Sequence, residues 1–285
     1  MKSNITGGET KFLFKAKILN KHEISYFECL DTGYIQTENP YWLEEAYSSA
    51  ITKLDIGLIR RNINLSTIVD RFIRGNFNPQ SVFLDYSGGY GLFTRLMRDR
   101  GFDYWNTDKY CQNIFAEFND LSYYPKDNNF NLATAFEVLE HFEDPIKQIE
   151  EPLSFSENLL FSTELIPEIK GSMKDWWYFA FETGQHVSFY TAKSLEFIAR
   201  KNNRNFYTNG KNLHLFTTSN FKHNPFEILS EKRLPFVYRK LKKLVAKFEK
   251  NRFSNLQNND KKISNISLPN LFEFDNSEIK KRLNK

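Results

Sequence analysis

Residues 81–110, SVFLDYSGGYGLFTRLMRDRGFDYWNTDKY, constrain the fold more than any other stretch of the chain. The apolar run Val82–Leu84 predicts a buried strand, and a glycine-rich turn follows at 87–91. An amphipathic helix comes next, and a second strand over 104–107 ends at Asp108. In nucleotide-binding α/β folds, an acid about 20 residues after the glycines accepts the ribose hydroxyls. The stretch therefore predicts a cofactor that contains a nucleoside.

The glycine spacing argues against a dinucleotide. The G-x-G-x-x-G pattern needs a third small residue, but Gly89 and Gly91 are followed by Thr94. Asp85, at the end of the first strand, also suits a cationic ligand better than a pyrophosphate. A nicotinamide-dependent oxidoreductase is therefore disfavoured.

The same residues resemble the class I S-adenosylmethionine-dependent methyltransferases, whose loop reads D-x-G-x-G-x-G. Asp85, Ser87, Gly89 and Gly91 occupy those four positions, with a serine in place of the first glycine. The resemblance covers about residues 49–218. It implies an α/β fold with a Rossmann-like seven-stranded sheet and a closing antiparallel hairpin, which Asn209-Gly210 also indicates.

The resemblance further implies S-adenosylmethionine as the cofactor and assigns its contacts. Asp85 would orient the ammonium group, Asp108 would bind the ribose, and the adenine would lie near residues 117–120. The predicted cofactor-binding residues are Asp85, Ser87, Gly88, Gly89, Tyr90, Gly91, Asp108, Lys109, Phe136 and Glu137.

A second motif, Glu137-Val138-Leu139-Glu140-His141, follows the predicted strand 132–136. Ligands of open α/β sheets bind at the carboxyl ends of strands. If a helix begins near Glu137, then Glu137, Glu140 and His141 share one face of it. His186 follows the fifth predicted strand and would meet them at the edge of the sheet.

These four residues resemble the E-x-x-E-H motif and distal histidine of metal-assisted methyltransferases of ubiquinone biosynthesis and of small RNA. The resemblance implies that Glu137, Glu140, His141 and His186 bind Mg²⁺ or Mn²⁺. Two alternatives stay open. The catalytic group Glu140, His141 and His186 would act through a metal-free histidine base, or the motif would have a structural role.

The nature of the acceptor is predicted less directly. Trp176, Trp177 and Tyr178 form an aromatic insertion before His186 that suits a sugar ring or packs into the core, and Tyr190 is a weaker acceptor contact. We expect O-methylation of a sugar, sugar phosphate or nucleotide sugar in glycan biosynthesis. An RNA 2′-O-methyltransferase and a non-catalytic cofactor-binding scaffold are the alternatives.

Composition and charge predict three regions. Short strand-like runs in residues 1–40 predict a small β module. In related methyltransferases this region is often a zinc ribbon, and the resemblance implies a metal-free remnant here, because Thr32 replaces a partner of Cys29. Residues 41–218 would form the catalytic domain, with helices predicted over about 41–53 and 56–74. The resemblance implies that these helices cover the cofactor, with Tyr41, Trp42 and Tyr47 either in this cover or in the core. Residues 219–285 contain 16 Lys and Arg against 7 Asp and Glu.

The basic region predicts an amphipathic helix over 232–252. This helix would pack on the catalytic domain, contact an anionic membrane surface weakly or contact nucleic acid. Nucleic acid is the least favoured of these partners. The chain has two cysteines and no run of 18 apolar residues, so a reducing cytoplasm is expected and a membrane span is not.

Overall fold

Two sheets organise the chain in the computed structural model, which describes residues 1–47, 55–125, 129–168 and 172–229. The strands are β1 (Thr10–Ile18), β2 (His22–Cys29), β3 (Ile35–Thr37), β4 (Val82–Tyr86), β5 (Asp103–Thr107), β6 (Leu132–Phe136), β7 (Asn158–Ser162), β8 (Ser188–Phe189), β9 (Asn205–Thr208) and β10 (Leu213–Thr217). The α-helices are α1 (Leu43–Ala46), α2 (Leu58–Asn76), α3 (Leu92–Asp99), α4 (Pro145–Gln148), α5 (Glu150–Phe155) and α6 (Ala192–Lys201).

The larger sheet has the strand order β5-β4-β6-β7-β10-β9. Strands β5, β4, β6 and β7 are parallel, and β10 is antiparallel to both β7 and β9. The central strand β6 is buried from Leu132 to Ala135, as expected for a strand of a parallel sheet that is covered on both faces. The Rossmann-like α/β fold and the closing hairpin at Asn209-Gly210 are thus confirmed.

The described residues contain six strands of this sheet, where the resemblance predicted seven. Beyond β5 a single parallel bridge joins Asn106 and Asp120. The segment that would supply the further strand instead forms 3₁₀ turns at Glu117–Asn119 and Leu121–Tyr123. The Asp120 carboxylate caps the second turn by accepting from the Ser122 amide at 3.1 Å, so local hydrogen bonds replace a strand ladder.

The smaller sheet has the order β1-β2-β3-β8 and is built mainly from the predicted N-terminal module. Its fourth strand, β8, comes from residues 188–189 and pairs antiparallel with β3. Tyr34 and Cys29 pack in the same apolar cluster as Leu84 and Phe161 of the larger sheet. The boundary at residue 40 therefore does not separate two hydrophobic cores.

The helices cover the larger sheet with apolar faces. α2 buries Leu65, Val69, Phe72 and Ile73, in agreement with the helix predicted for this segment. The helix predicted over residues 41–53 is described only from Leu43 to Ala46, since 48–54 lie outside the described residues. None of the described helices is both long and apolar enough to cross a membrane.

The chain divides into a unit of residues 1–226 and a unit of residues 227–285. Within the first unit, the Phe226 ring packs on Phe72 of α2 with a centroid separation of 5.1 Å. Of the second unit, residues 227–229 are described. The predicted basic helix over 232–252 lies outside the described residues.

We expect Thr191→Ala to lower the free energy of unfolding by about 1–2 kcal/mol. The Thr191 hydroxyl accepts from the Ser194 amide at 3.0 Å, which caps α6, and donates to the Thr32 carbonyl at 2.6 Å. Urea unfolding measures the change. Lys193→Ala, an exposed substitution on the same helix, is the matched control and should stay within about 0.5 kcal/mol of the parent. Equal effects of the two substitutions would contradict the capping role.

Candidate active site

The turn after β4 has a left-handed backbone at three positions. The φ angles are 54° at Ser87, 57° at Gly89 and 79° at Gly91. Glycine adopts this conformation without steric cost, whereas a side chain at Ser87 is strained there. The predicted glycine-rich turn therefore keeps its backbone course despite the serine at its first position.

Gly88 is required for a different reason, because the turn lies directly on two buried side chains. A Cβ atom at Gly88 would lie 2.1 Å from Asn106 Oδ1 and 2.4 Å from Asp85 Oδ2. Gly91 is similarly confined, since a Cβ there would lie 2.1 Å from Asn113 Oδ1. The turn can thus approach a ligand with bare backbone.

The Asp108 carboxylate links the end of β5 to the turn. Its Oδ2 accepts from the Gly89 amide at 2.9 Å, and its Oδ1 accepts from the amides of Tyr110 and Cys111 at 2.7 and 2.8 Å. Each carboxylate oxygen can accept two hydrogen bonds. The structure therefore holds Asp108 in one orientation and leaves one acceptor site, on Oδ2, for a ligand hydroxyl.

Asp85 is buried at the end of β4 and accepts from the Thr134 hydroxyl at 2.9 Å. Burial raises the pKa of its carboxyl group to about 7, the hydrogen bonds from Thr134 and Thr94 oppose the rise, and the charge of Asp108 adds to it. A nearby cation would favour the ionised form. Asp85 is thus able to respond to a cationic ligand in the turn.

Lys109 lies beside Asp108 but is paired with a residue that the sequence did not indicate. Its Nζ donates to Glu151 Oε2 at 2.6 Å, and the Tyr86 hydroxyl donates to the same oxygen at 2.8 Å. Glu151 lies in α5, far from the recognised motifs. No periodicity or motif marks it, so the contact emerges from the packing of α5 beside β4.

Glu137 leaves β6 with a left-handed backbone, φ 58°, instead of beginning a helix. Its amide donates to Ser162 Oγ at 2.9 Å, and the Ser162 hydroxyl donates to Glu137 Oε1 at 2.7 Å. A 3₁₀ turn at Leu139–His141 follows. The helical spacing predicted for Glu137, Glu140 and His141 is therefore wrong, and Glu137 is held toward β7.

Three of the four predicted ligands still come together. In the described part of the chain, three residues each contribute one ligand atom to a group whose atoms lie within 4.8 Å of one another. These residues are Glu140, His141 and His186, and Glu137 is outside the group. The imidazole rings of His141 and His186 meet edge to face, with centroids 5.0 Å apart. The structure thus places a carboxylate and two imidazoles at one point, as the motif analysis expected for these three residues.

Both imidazoles are oriented by backbone carbonyls. Nδ1 of His141 lies 3.0 Å from the Gln185 carbonyl, and Nδ1 of His186 lies 2.7 Å from the Tyr178 carbonyl. A carbonyl only accepts, so Nδ1 carries the hydrogen and the neutral ring keeps its lone pair on Nε2.

Burial keeps both rings neutral. It lowers the pKa of His141 to about 4, against the opposing effect of the Gln185 and Glu137 carbonyls. It lowers the pKa of His186 to about 3, with a further contribution from His141 and opposition from the Tyr178 carbonyl. The site therefore offers two neutral nitrogen bases.

Glu140 is fully buried, and neither carboxylate oxygen has a hydrogen-bond partner among the described residues. Burial and the charge of Glu137 hold the pKa of its carboxyl group well above the ordinary value, although Tyr178 and Arg61 lower it. A buried carboxyl without partners costs free energy unless a ligand satisfies it. The Glu140 carboxylate is thus available to a ligand that satisfies its oxygens.

One cavity of about 600 Å³ joins the turn and the histidines. All predicted cofactor-binding residues line it except Gly91, which packs on Asn113, and both His141 and His186 line it as well. Residues 117–120, predicted near the adenine, do not line the cavity, whereas Tyr110 and Cys111 do. The cavity lining therefore gives no support to the prediction that residues 117–120 lie near the adenine.

The predicted acceptor aromatics separate into surface and core. Trp177 lines the cavity and is 72% exposed, whereas Tyr178 and Tyr190 are buried. The Tyr190 hydroxyl donates to the Leu139 carbonyl at 2.7 Å, so Tyr190 supports the motif and does not face an acceptor. Of the aromatic insertion, Trp177 alone among the described residues is placed to meet a ligand.

The three aromatics proposed as a cover also differ in their positions. Tyr47 lines the cavity. Its ring stacks on the Tyr110 ring with a centroid separation of 6.2 Å and meets the His141 ring edge to face with a centroid separation of 6.1 Å. Trp42 is buried and donates to the Gly184 carbonyl at 2.8 Å, and Tyr41 is 64% exposed. The covering role therefore fits Tyr47.

The Asp55–Arg61 ion pair is a further feature of the cavity that the sequence did not reveal. Arg61 Nη1 and Nη2 donate to Asp55 Oδ1 and Oδ2 at 3.1 and 2.7 Å, and both residues line the cavity. A spacing of six residues at a helix start has no recognised signature. The pair could have been suspected only from an arginine on the first turn of a helix that covers the site.

Comparison with known proteins assigns residues 59–207 to a family described as methyltransferase domains. No curated protein matches the sequence significantly. Among solved structures, magnesium protoporphyrin IX methyltransferase (ChlM) from Synechocystis PCC 6803, with S-adenosylhomocysteine bound, is 14% identical, with 61% of this chain and 92% of that chain covered and a TM-score of 0.42.

Two further structures align at a similar level. TnmH is 12% identical, with 62% of this chain and 61% of that chain covered and a TM-score of 0.45. The mitomycin 7-O-methyltransferase MmcR is 10% identical, with 62% of this chain and 60% of that chain covered and a TM-score of 0.41. The chain thus spans about three fifths of the length of these two proteins.

We expect Gly88→Ala to lower the free energy of unfolding by about 2 kcal/mol, since its new methyl group would overlap two buried side chains. Ser87→Gly is the matched change in the same turn. It should raise stability by about 0.5 kcal/mol, because relief of the left-handed strain outweighs the entropy of a glycine. Thermal and urea unfolding measure both values, and a tolerated Gly88→Ala would show that the turn does not lie on Asn106 and Asp85.

Proposed function

The chain belongs to the family of methyltransferase domains, as a class I S-adenosylmethionine-dependent enzyme, and we propose that it methylates a hydroxyl oxygen of a small sugar-type acceptor. The observation that carries the proposal is the single cavity in which the glycine turn and the His141–His186 pair meet. One half suits the cofactor, and the other half offers bases for an acceptor.

In the cofactor half, residues are available for the ribose, the methionine part and the sulfonium of S-adenosylmethionine. Asp108, oriented by three backbone amides, would accept from a ribose hydroxyl at the remaining acceptor site of Oδ2. Residues 87–90 would form a backbone wall along the methionine part, with Asp85 near its ammonium. Phe136 and Glu137 would flank the sulfonium. These assignments rest on the positions of the residues around one cavity.

The acceptor half has to align a hydroxyl with the methyl carbon and remove its proton. The acceptor oxygen forms a bond to the methyl carbon while the bond between that carbon and sulfur breaks, which yields a methyl ether, S-adenosylhomocysteine and a proton. Alignment of the reacting atoms is the main task of the protein. A neutral imidazole whose Nδ1 is tied to a carbonyl can take the proton on Nε2, and both His141 and His186 meet this condition.

A divalent cation fits the donor set of Glu140, His141 and His186. The carboxylate is buried with both oxygens unpartnered, and the ligand atoms lie within 4.8 Å of one another. Two imidazoles and one carboxylate suit Mn²⁺ better than Mg²⁺, which favours oxygen ligands. When bound, such an ion would lower the pKa of an acceptor hydroxyl. The chain's own part is to present these three ligands in fixed orientations.

A sugar-type acceptor is supported by the surface of the cavity beside the histidines. Trp177 and Tyr47 offer aromatic faces, and Thr183 and Gln185, close in sequence to His186, also line the cavity. Flat apolar faces among polar groups suit the two kinds of surface on a sugar ring. The cavity volume of about 600 Å³ is within the range of small-molecule sites.

We expect chelation with EDTA to abolish methyl transfer and Mn²⁺ to restore it more fully than Mg²⁺. Independently of activity, electron paramagnetic resonance should show one bound Mn²⁺ in the parent protein. Glu140→Gln should weaken this binding at least about tenfold because a ligand charge is lost. Glu150→Gln, an exposed change on α5, is the control and should bind Mn²⁺ as the parent does. Full activity after chelation would exclude the cation and leave a histidine base.

We expect the affinity for S-adenosylmethionine to rise about tenfold between pH 6 and pH 8, measured by calorimetry. With a pKa of about 7, Asp85 is about one tenth ionised at pH 6 and about nine tenths at pH 8, and the ammonium binds the ionised form. Asp85→Asn should remove this part of the pH dependence. Any titration of the cofactor itself affects the parent and Asp85→Asn equally. If the affinity of both proteins changed with pH in the same way, the role of Asp85 would be contradicted.

A further inference from the structure

We infer that the acceptor is a neutral, unphosphorylated polyol and that the Asp55–Arg61 ion pair binds its hydroxyl groups. The inference rests on the proposed function and narrows its substrate class, since a sugar phosphate or nucleotide sugar would carry negative charge into the same cavity. Three observations support it: the geometry of the pair, its position near the histidines, and the charge of the cavity.

The geometry of the pair leaves hydrogen-bonding groups of both kinds for a ligand. The Arg61 guanidinium has five N–H donors and uses two of them in its bidentate contact with Asp55. Each Asp55 oxygen keeps a lone pair. The side chains of Arg61 and Asp55 are 33% and 27% exposed, and both residues line the cavity. A ligand in the cavity can therefore reach their remaining donors and acceptors. Adjacent donors and acceptors match hydroxyl groups, each of which donates and accepts.

The pair lines the same cavity as His141 and His186, and the Arg61 charge interacts with the residues around the two histidines. Burial lowers the pKa of Arg61, but the hydrogen bonds with Asp55 and the charges of Glu137 and Glu140 more than compensate, so the pKa is raised. The charge of Arg61 also acts on His186. A ligand held by the pair would thus lie in the acceptor half of the cavity.

The pair brings no net charge to the acceptor, because the guanidinium is already compensated by a carboxylate. Among the described residues that line the cavity, six are acidic and two, Arg61 and Lys109, are basic. Lys109 is in turn paired with Glu151. Within the described part of the chain, the lining acids that form no ion pair are Asp85, Asp108, Glu137 and Glu143.

A phosphate group would therefore meet more negative than positive charge. At close range in a partly buried site, like charges repel more strongly than in bulk water. A divalent cation on Glu140, His141 and His186 would reduce the negative excess but not reverse it. Neutral hydroxyl groups avoid this penalty and still satisfy the polar atoms of the pair.

The test uses the full chain saturated with S-adenosylhomocysteine and matched pairs of probes. Each pair is a neutral monosaccharide and its 1-phosphate or uridine diphosphate derivative, and saturation-transfer nuclear magnetic resonance ranks their affinities. We expect the neutral member to bind at least about tenfold more tightly. Arg61→Gln and Arg61→Lys should each weaken binding of the neutral monosaccharide at least about tenfold, because both variants lose the bidentate contact of the guanidinium. The affinity for S-adenosylhomocysteine should change less than about twofold, since the pair is assigned to the acceptor.

Asp55→Asn gives a signature that a structural role would not produce. It leaves the Arg61 charge uncompensated, so the preference should shift toward the phosphorylated probes by about tenfold. Arg95→Gln, which removes an exposed ion pair with Asp99 on α3, is the control and should change neither ranking nor affinity. Preference of the parent for a phosphorylated probe, binding of no neutral probe, or an unchanged ratio in Asp55→Asn would each overturn the inference.

Methyl transfer from labelled S-adenosylmethionine to a cell extract separates this inference from the proposed function. O-methylation of an anionic acceptor would leave the proposed function intact and overturn the neutral acceptor. Transfer to nitrogen or carbon would overturn the proposed function, whatever the probes show about charge.

Discussion

Hydrogen bonds between the carboxyl ends of neighbouring parallel strands hold this site together. The turn after β4 is tied to β5 by the Gly89 amide and Asp108, and β4 is tied to β6 by Asp85 and Thr134. Glu137 and Ser162 join β6 to β7. Each link satisfies polar groups that would otherwise be orphaned where the ladder ends. The cofactor turn and the acceptor residues are thus fixed by one continuous edge of the sheet.

The N-terminal sheet extends this support to the second histidine. The Thr37 amide donates to the Val187 carbonyl at 3.2 Å, and the Val187 amide donates to the Glu140 carbonyl at 2.9 Å. His186 therefore lies in a strand-like segment held between β3 and the E-V-x-E-H motif. The N-terminal β module thus helps to position His186. This role agrees with the apolar cluster that the module shares with the larger sheet.

The parts of the site that could be predicted follow from rules of local pattern. Strand ends, glycine spacing and the position of Asp108 depend on short stretches of chain, and the structure places them as expected. Glu137 differs because its left-handed backbone is set by Ser162, 25 residues away. Asp55, Arg61 and Glu151 act through tertiary packing of helices on the cavity, which no periodicity encodes. The convergence of His141 and His186 was predicted by resemblance, but their orientation by backbone carbonyls was not.

The charge of the cavity also bears on the RNA alternative. Nucleic-acid binding depends mainly on cations that neutralise phosphates, and the sequence concentrates its basic residues in 219–285, away from the catalytic motifs. The cavity that contains the histidines is also lined by the acids Glu137 and Glu143. The two cations there, Arg61 and Lys109, are already paired among the described residues. The electrostatics of the site thus favour a small neutral acceptor over a polyanion, independently of what the basic region binds.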